Sequence, residues 1–158
     1  MSGQRGGSRL RQASMKNFNP RLIFSQIVAL QCFHYLSLGL LVQINHVLYG
    51  QSVTVDRIFT DEYLKVWHGG WQDAFAVFFS YAVVGSFLMA IIVEKSKKCL
   101  DFSFTLFVVH LLIVCAYDGF PSTWDWWIVH ICSMVTMVVL GEYLCARREM
   151  EDIPLLQL

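Results

Sequence analysis

Ala74–Val93 reads AFAVFFSYAVVGSFLMAIIV, twenty residues without a charge. At about 1.5 Å per residue, such a helix crosses the roughly 30 Å hydrocarbon core of a bilayer. Three further apolar stretches accompany it, Leu22–Gln43, Phe102–Tyr117 and Trp126–Cys145. Leu22–Gln43 and Trp126–Cys145 also reach the ~20 residues of a span, and Phe102–Tyr117 is shorter. Positive charge is sorted between them. Of 12 Lys and Arg, only Arg57 and Lys65 fall between the first and second stretches, and none falls between the third and fourth. The rest lie before the first stretch, between the second and third, or after the fourth. This is the positive-inside pattern. It predicts an all-α membrane protein, a four-transmembrane-helix bundle with cytosolic N- and C-termini.

Composition agrees. The chain is 56% hydrophobic and 15% charged, more apolar surface than a soluble domain can hide. The expected organisation is a flexible basic cytosolic tail over residues 1–19, a membrane domain over 20–145 and a cytosolic tail over 146–158. No separate soluble catalytic domain fits. The N-terminal region carries Arg5, Arg9, Arg11, Lys16 and Arg21, and the first acid is Asp56. Such an arm holds the N-terminus in the cytosol and touches anionic lipid of the bilayer. A mitochondrial transit peptide has similar composition, but here a span follows at once. Leu22–Gln43 is longer than a typical cleaved signal core. Nucleic acid is not an expected partner, because the basic residues are few and divided by membrane.

None of the five cysteines falls in a predicted lumenal loop, so no disulfide framework is expected. Cys99 and Cys145 fall at the cytosolic edge, either as palmitate acceptors or as small apolar residues. Asn17, Asn19 and Asn45 lack the Ser or Thr of an N-glycosylation acceptor.

The spans carry polar residues that need partners. Gln26, Gln31, His34 and Ser37 fall within roughly 140° of arc on the first helix. That face is expected to look inward and hydrogen-bond between helices, in preference to lining a ligand path. Between the first two spans, Val55, Ile58, Phe59, Tyr63, Val66 and Trp67 recur at helical spacing until Gly69-Gly70. The pattern predicts a lumenal amphipathic helix over 55–67, and a lid over the bundle has the same pattern. Ala82, Ser86 and Ala90, with Gly85 beside them, form a small-residue seam for packing within the chain or in a homo-oligomer. Lys97 and Asp101 pair if helix runs through both.

His34, His110 and His130 raise the alternative of a haem-binding membrane electron carrier. Their depths, counted along the predicted spans, match only loosely, and satisfied polar residues in a bundle are the preferred explanation. No nucleophile–base pair, phosphate loop or zinc spacing accompanies them. No enzyme activity, cofactor or metal is expected. Glu151–Leu156, EDIPLL, fits the acidic-dileucine pattern of sorting signals.

Several strings carry a resemblance. Asn19–Leu40 reads NPRLIFSQIVALQCFHYLSLGL, Lys97–Leu112 reads KKCLDFSFTLFVVHLL, Phe120–Val129 reads FPSTWDWWIV and Gly141–Leu155 reads GEYLCARREMEDIPL. In this order and spacing the chain resembles the Sys family of Golgi integral membrane proteins, over about Asn19 to Leu155. The resemblance implies four membrane helices and residence in the Golgi, mainly on its trans side. It also implies a receptor for an Arf-related small GTPase with an acetylated N-terminus, acting in vesicle-mediated protein transport between endosomes and Golgi. An acetyl group buries far less apolar surface than a myristoyl chain, so a protein receptor at the membrane is physically sensible. The matched strings place the expected partner-binding residues at the cytosolic edge: Lys97, Lys98, Cys99 and Asp101, with Glu142, Tyr143, Arg147 and Arg148.

Overall fold

The structure, a computed structural model, describes residues 19–152. The basic arm before Asn19 and the Leu155-Leu156 pair lie outside the described residues. Helix α1 spans Pro20–Tyr49 and a short α2 spans Asp56–Phe59. Helix α3 spans Trp71–Ile92, α4 spans Cys99–Tyr117 and α5 spans Trp124–Asp152. No strand occurs among the described residues. Helices α1, α3, α4 (with its leading turn) and α5 are each long and apolar enough to cross a membrane.

Local chemistry sets the ends of these helices. Pro20 opens α1, where its fixed φ suits a helix and its missing N–H would have no partner. Gly50, at φ 67°, closes α1 in the left-handed region and donates its N–H to the carbonyl of His46. The helix therefore overruns its apolar core, because caps stop helices and hydropathy does not.

Large apolar residues such as Leu36, Phe75, Phe87, Leu112 and Ile128 face outward. In water they would form patches beyond those of soluble monomers; in a bilayer they match the solvent. Helix α3 is the central element. Half of its apolar window is buried inside the bundle, against 22% for α1. Its small-residue seam is consumed within the chain: Ala82, Ser86 and Ala90 are buried, and Gly85 faces Met137 of α5. A Cβ at Gly85 would stand 3.0 Å from the Met137 side chain. Close backbone approach replaces the hydrophobic drive that lipid removes. The seam is therefore not free for a second copy. At the same level α3 widens into a π-helical segment, Ser80–Gly85.

The connection between α1 and α3 differs from a single amphipathic helix over 55–67. It is α2, then two 3-10 turns, Glu62–Leu64 and Val66–His68. Thr60 is extended and interrupts the helical run. Tertiary anchors override the local period. The Arg57 guanidinium reaches Asp73 of α3 at 2.5 Å, Leu64 is buried, and Phe59 packs against the rings of Tyr35, His110 and Tyr117. The segment is a lid on one end of the bundle. Gly69, at φ 98°, and Gly70 close it; a Cβ on Gly70 would meet the Tyr63 carbonyl oxygen at 2.2 Å. Exposed Trp67 and Trp124 ring this end as an interfacial aromatic girdle.

Asp61 ties the lid to α5. One carboxylate oxygen accepts the N–H groups of Ser122 and Thr123 at 2.8 and 3.0 Å, just ahead of Trp124. Its partial burial raises its pKa, but these bonds and the Ser122 hydroxyl outweigh that and hold it below the usual aspartate value. A depressed pKa stabilises the fold above the ordinary carboxylate range, and that share is lost as pH falls through the depressed value. Asp61→Asn is therefore expected to flatten acid destabilisation at the foot of the carboxylate range. Unfolding midpoints in detergent against pH measure this, and parallel curves for both proteins would refute it.

Candidate functional site

Two sets of polar residues stand out, one within the bundle and one at its basic end. The interior set begins with the polar face of α1. Gln26 Nε2 donates to the Ile92 carbonyl at 2.6 Å, and Gln31 Nε2 to that of Leu106 at 3.3 Å. Ser37 Oγ meets Ser80 Oγ at 2.7 Å, and Ser80 Oγ meets His34 Nδ1 at 3.2 Å. Each bond links α1 to another helix. In hydrocarbon the alternative is an unsatisfied polar group, so these bonds orient α1. Ser80 and Tyr81 were not singled out in the sequence, although adjacent polar residues in an apolar span are themselves a signal.

The three histidines meet. Ring centroids of His110 and His130 lie 5.1 Å apart, and those of His34 and His110 6.2 Å apart. Counting along the apolar stretches misjudged their depth, because α1, α4 and α5 extend beyond those stretches by different amounts. His110 Nδ1 bonds the Tyr35 hydroxyl at 3.0 Å, and His130 Nδ1 faces the Trp126 carbonyl at 2.9 Å. Trp126 stacks on His130 with centroids 4.0 Å apart. Rings packed so closely occupy the space that a planar macrocycle between His110 and His130 would need. Among the described residues, no group of three His, Cys, Asp or Glu is arranged to hold a metal ion.

The basic end is built around the α3–α4 turn. Val93 and Glu94 both donate to the Met89 carbonyl, and Glu94 takes φ 58°, the left-handed stop that usually falls to glycine. The carbonyls after Met89 in the last turn of α3 lack intrahelical partners, and side chains from other helices serve two of them. Arg148 of α5 donates to the Ala90 carbonyl at 2.7 Å, and Gln26 of α1 serves Ile92. Glu149 then accepts the N–H and hydroxyl of Ser96 at 3.3 and 3.0 Å. Three helices are thereby clamped to one turn.

The expected edge residues divide. Lys97, Lys98, Asp101, Glu142, Tyr143 and Arg147 are exposed at this end. Cys99 does not belong with them. It is fully buried, as is Cys145, and the two sulfurs stand 3.5 Å apart. Neither thiol can touch a docked protein or reach an acyl donor in this arrangement; they are small packing residues between α4 and α5. Arg148 is also exposed, but its guanidinium caps α3. The Lys97–Asp101 helical pair does not form. Ser96–Lys98 is a 3-10 turn and α4 begins only at Cys99, so the two lack i,i+4 helical geometry. Asp101 instead lies in the first turn of α4, where a carboxylate favours the helix dipole.

The family model for SYS1, an integral membrane protein linking to the trans Golgi network, matches residues 13–155. The chain belongs to the SYS1 family. It is similar to the Protein SYS1 homolog of Dictyostelium discoideum, 36% identical over 138 residues, covering 87% of this chain and 60% of that protein. The Protein SYS1 homolog of Nematostella vectensis is 35% identical over 136 residues, 86% of this chain and 87% of the relative. Protein SYS1 of Saccharomyces cerevisiae is 27% identical over 143 residues, 86% of this chain and 68% of the relative. The chain thus spans less than two thirds of the Dictyostelium protein's length. No solved structure matches. This SYS1-family chain is an integral membrane protein of the trans-Golgi network, with four helices suited to crossing its bilayer.

Proposed function

We propose that this chain is a non-enzymatic membrane receptor that recruits an Arf-related small GTPase, N-terminally acetylated, to the trans-Golgi for Golgi–endosome vesicle traffic. The basic end faces the cytosol in this reading, by the positive-inside rule, with both termini on that side. One observation carries the reading. Lys97, Glu142, Tyr143 and Arg147 are all exposed at the end of the bundle where Arg148, Gln26 and Glu149 clamp the α3–α4 turn. A rigid, charged edge with an exposed tyrosine suits protein recognition better than a floppy loop does, because less ordering entropy is lost on docking. Lys98 and Asp101 border the same edge.

The test is to image the endogenous GTPase in cells lacking this protein and in cells restored with Lys97→Glu/Arg147→Glu. The expected result is dispersal of the GTPase into the cytosol in both, with Golgi stacks intact and the variant still Golgi-resident. Unchanged recruitment in cells lacking the protein would overturn the reading. Full rescue by the variant would remove this edge from it.

A further inference from the structure

A groove of about 230 Å³ opens between α1 and α4 at the basic end, lined by Ile23, Ile27, Phe102, Thr105, Lys98 and Asp101. Its floor is apolar and its rim is charged. Ile23, Ile27 and Phe102 offer hydrocarbon one to two turns inside the helix ends, the depth of the first methylenes of an acyl chain. Lys98 and Asp101 sit on the rim. Exposed Arg21 and Lys97 lie near the same helix ends. Any groove on a membrane-facing surface takes up lipid; the rim decides which lipid. The Lys98 ammonium at the rim selects a phosphate. The carboxylate of Asp101 opposes a headgroup carrying a second free anion, such as serine, and accepts hydrogen bonds from hydroxyls. The Thr105 hydroxyl already donates to the Asp101 carbonyl at 2.7 Å, which leaves its oxygen lone pairs as further acceptors.

We infer that this groove is a binding site for an inositol phospholipid, with the phosphodiester on Lys98, ring hydroxyls on Asp101 and one acyl chain along Ile23, Ile27 and Phe102. With Arg21 and Lys97 beside the groove, this end of the bundle carries the excess positive charge that draws anionic headgroups to a membrane surface. The inference stands on the groove and its rim and is independent of GTPase recruitment.

The test uses the full chain, purified without any GTPase, in phosphatidylcholine vesicles doped with phosphatidylinositol, phosphatidylserine or phosphatidylglycerol in turn. Retained lipid is counted by native mass spectrometry, and unfolding midpoints show that each variant is folded. Phosphatidylinositol should be retained over all the others. Lys98→Ala should lower its retention about fivefold, the share of one surface lysine, and Lys98→Arg should restore it. Asp101→Asn should narrow the preference over phosphatidylserine. Ile27→Trp, which fills the groove, should abolish retention. Equal retention of phosphatidylcholine, phosphatidylserine or phosphatidylglycerol by the unaltered chain would overturn the inference. So would unchanged phosphatidylinositol retention in folded Lys98→Ala or folded Ile27→Trp.

Discussion

Arg57→Ala is expected to lower the unfolding midpoint of the detergent-solubilised chain on the order of 10 °C. The Arg57–Asp73 pair is buried, with side chains 8% and 4% exposed, and it closes the lid onto α3. Removing one partner strands the other charge in a poorly solvated site, a loss of about 3–5 kcal/mol. For a chain of this size each kcal/mol moves the midpoint by about 2–4 °C. Arg57 does more than neutralise Asp73. It also donates to Gln51 Oε1 at 2.6 Å and lies over the Tyr63 ring, 4.8 Å from its centroid. Arg57→Met combined with Asp73→Leu should recover most of the loss, because no charge is then left unpaired. The measurement is a thermal scan of all three proteins. An Arg57→Ala midpoint within a degree or two of the unaltered chain would refute the latch, and so would a double variant no better than the single one.

Trp126→Ala should cost a similar amount, about 3–5 kcal/mol. Trp126 has no exposed surface and contacts Phe107, His110, Trp127 and His130 from one position. Lipid tails are as apolar as the bundle interior, so the loss is mainly of packing rather than of burial from water. Four helices meet at this level: His34 from α1, Tyr81 from α3, His110 from α4, and Trp126 with His130 from α5. An alanine there leaves a cavity that rigid helices cannot close. Trp126→Phe keeps a ring against His130 and should lose less than half as much. The readouts are the midpoint and the near-ultraviolet circular dichroism of the stacked rings. A Trp126→Ala protein with unchanged midpoint and spectrum would show that this layer does not hold the bundle together.

The inward face of α1 was legible because polarity in a span is rare and four residues shared one arc. Each of those four now has a partner on a different helix or a neighbouring turn: Gln26 at Ile92, Gln31 at Leu106, His34 at Ser80, and Ser37 at Ser80 and the His34 carbonyl. The basic edge was legible only as a neighbourhood. Lys97 and Cys99 are two residues apart, yet one is exposed and the other fully buried. Composition and charge cannot separate them, because rotation about a helix axis depends on which neighbour packs against it. The segment over 55–67, read as an amphipathic helix or a lid, is not one continuous helix, for a related reason. Its helical period is real, but Asp61 is drawn to Ser122, 61 residues away, and Arg57 to Asp73. Those contacts outweigh the propensity of so short a segment.

The sequence by itself determined the number of membrane-crossing helices, their rough bounds and the asymmetry of positive charge about them. Each of these is a sum over one segment against lipid or water, and needs no knowledge of the other segments. Only the tertiary structure decided that His34, His110 and His130 meet, that the α1–α3 connection is a latched lid, and that Cys99 and Cys145 face each other. Those facts depend on the relative depth and rotation of helices far apart in the chain. Pairwise packing and a few interhelical hydrogen bonds set depth and rotation, and hydropathy along a single helix does not record them.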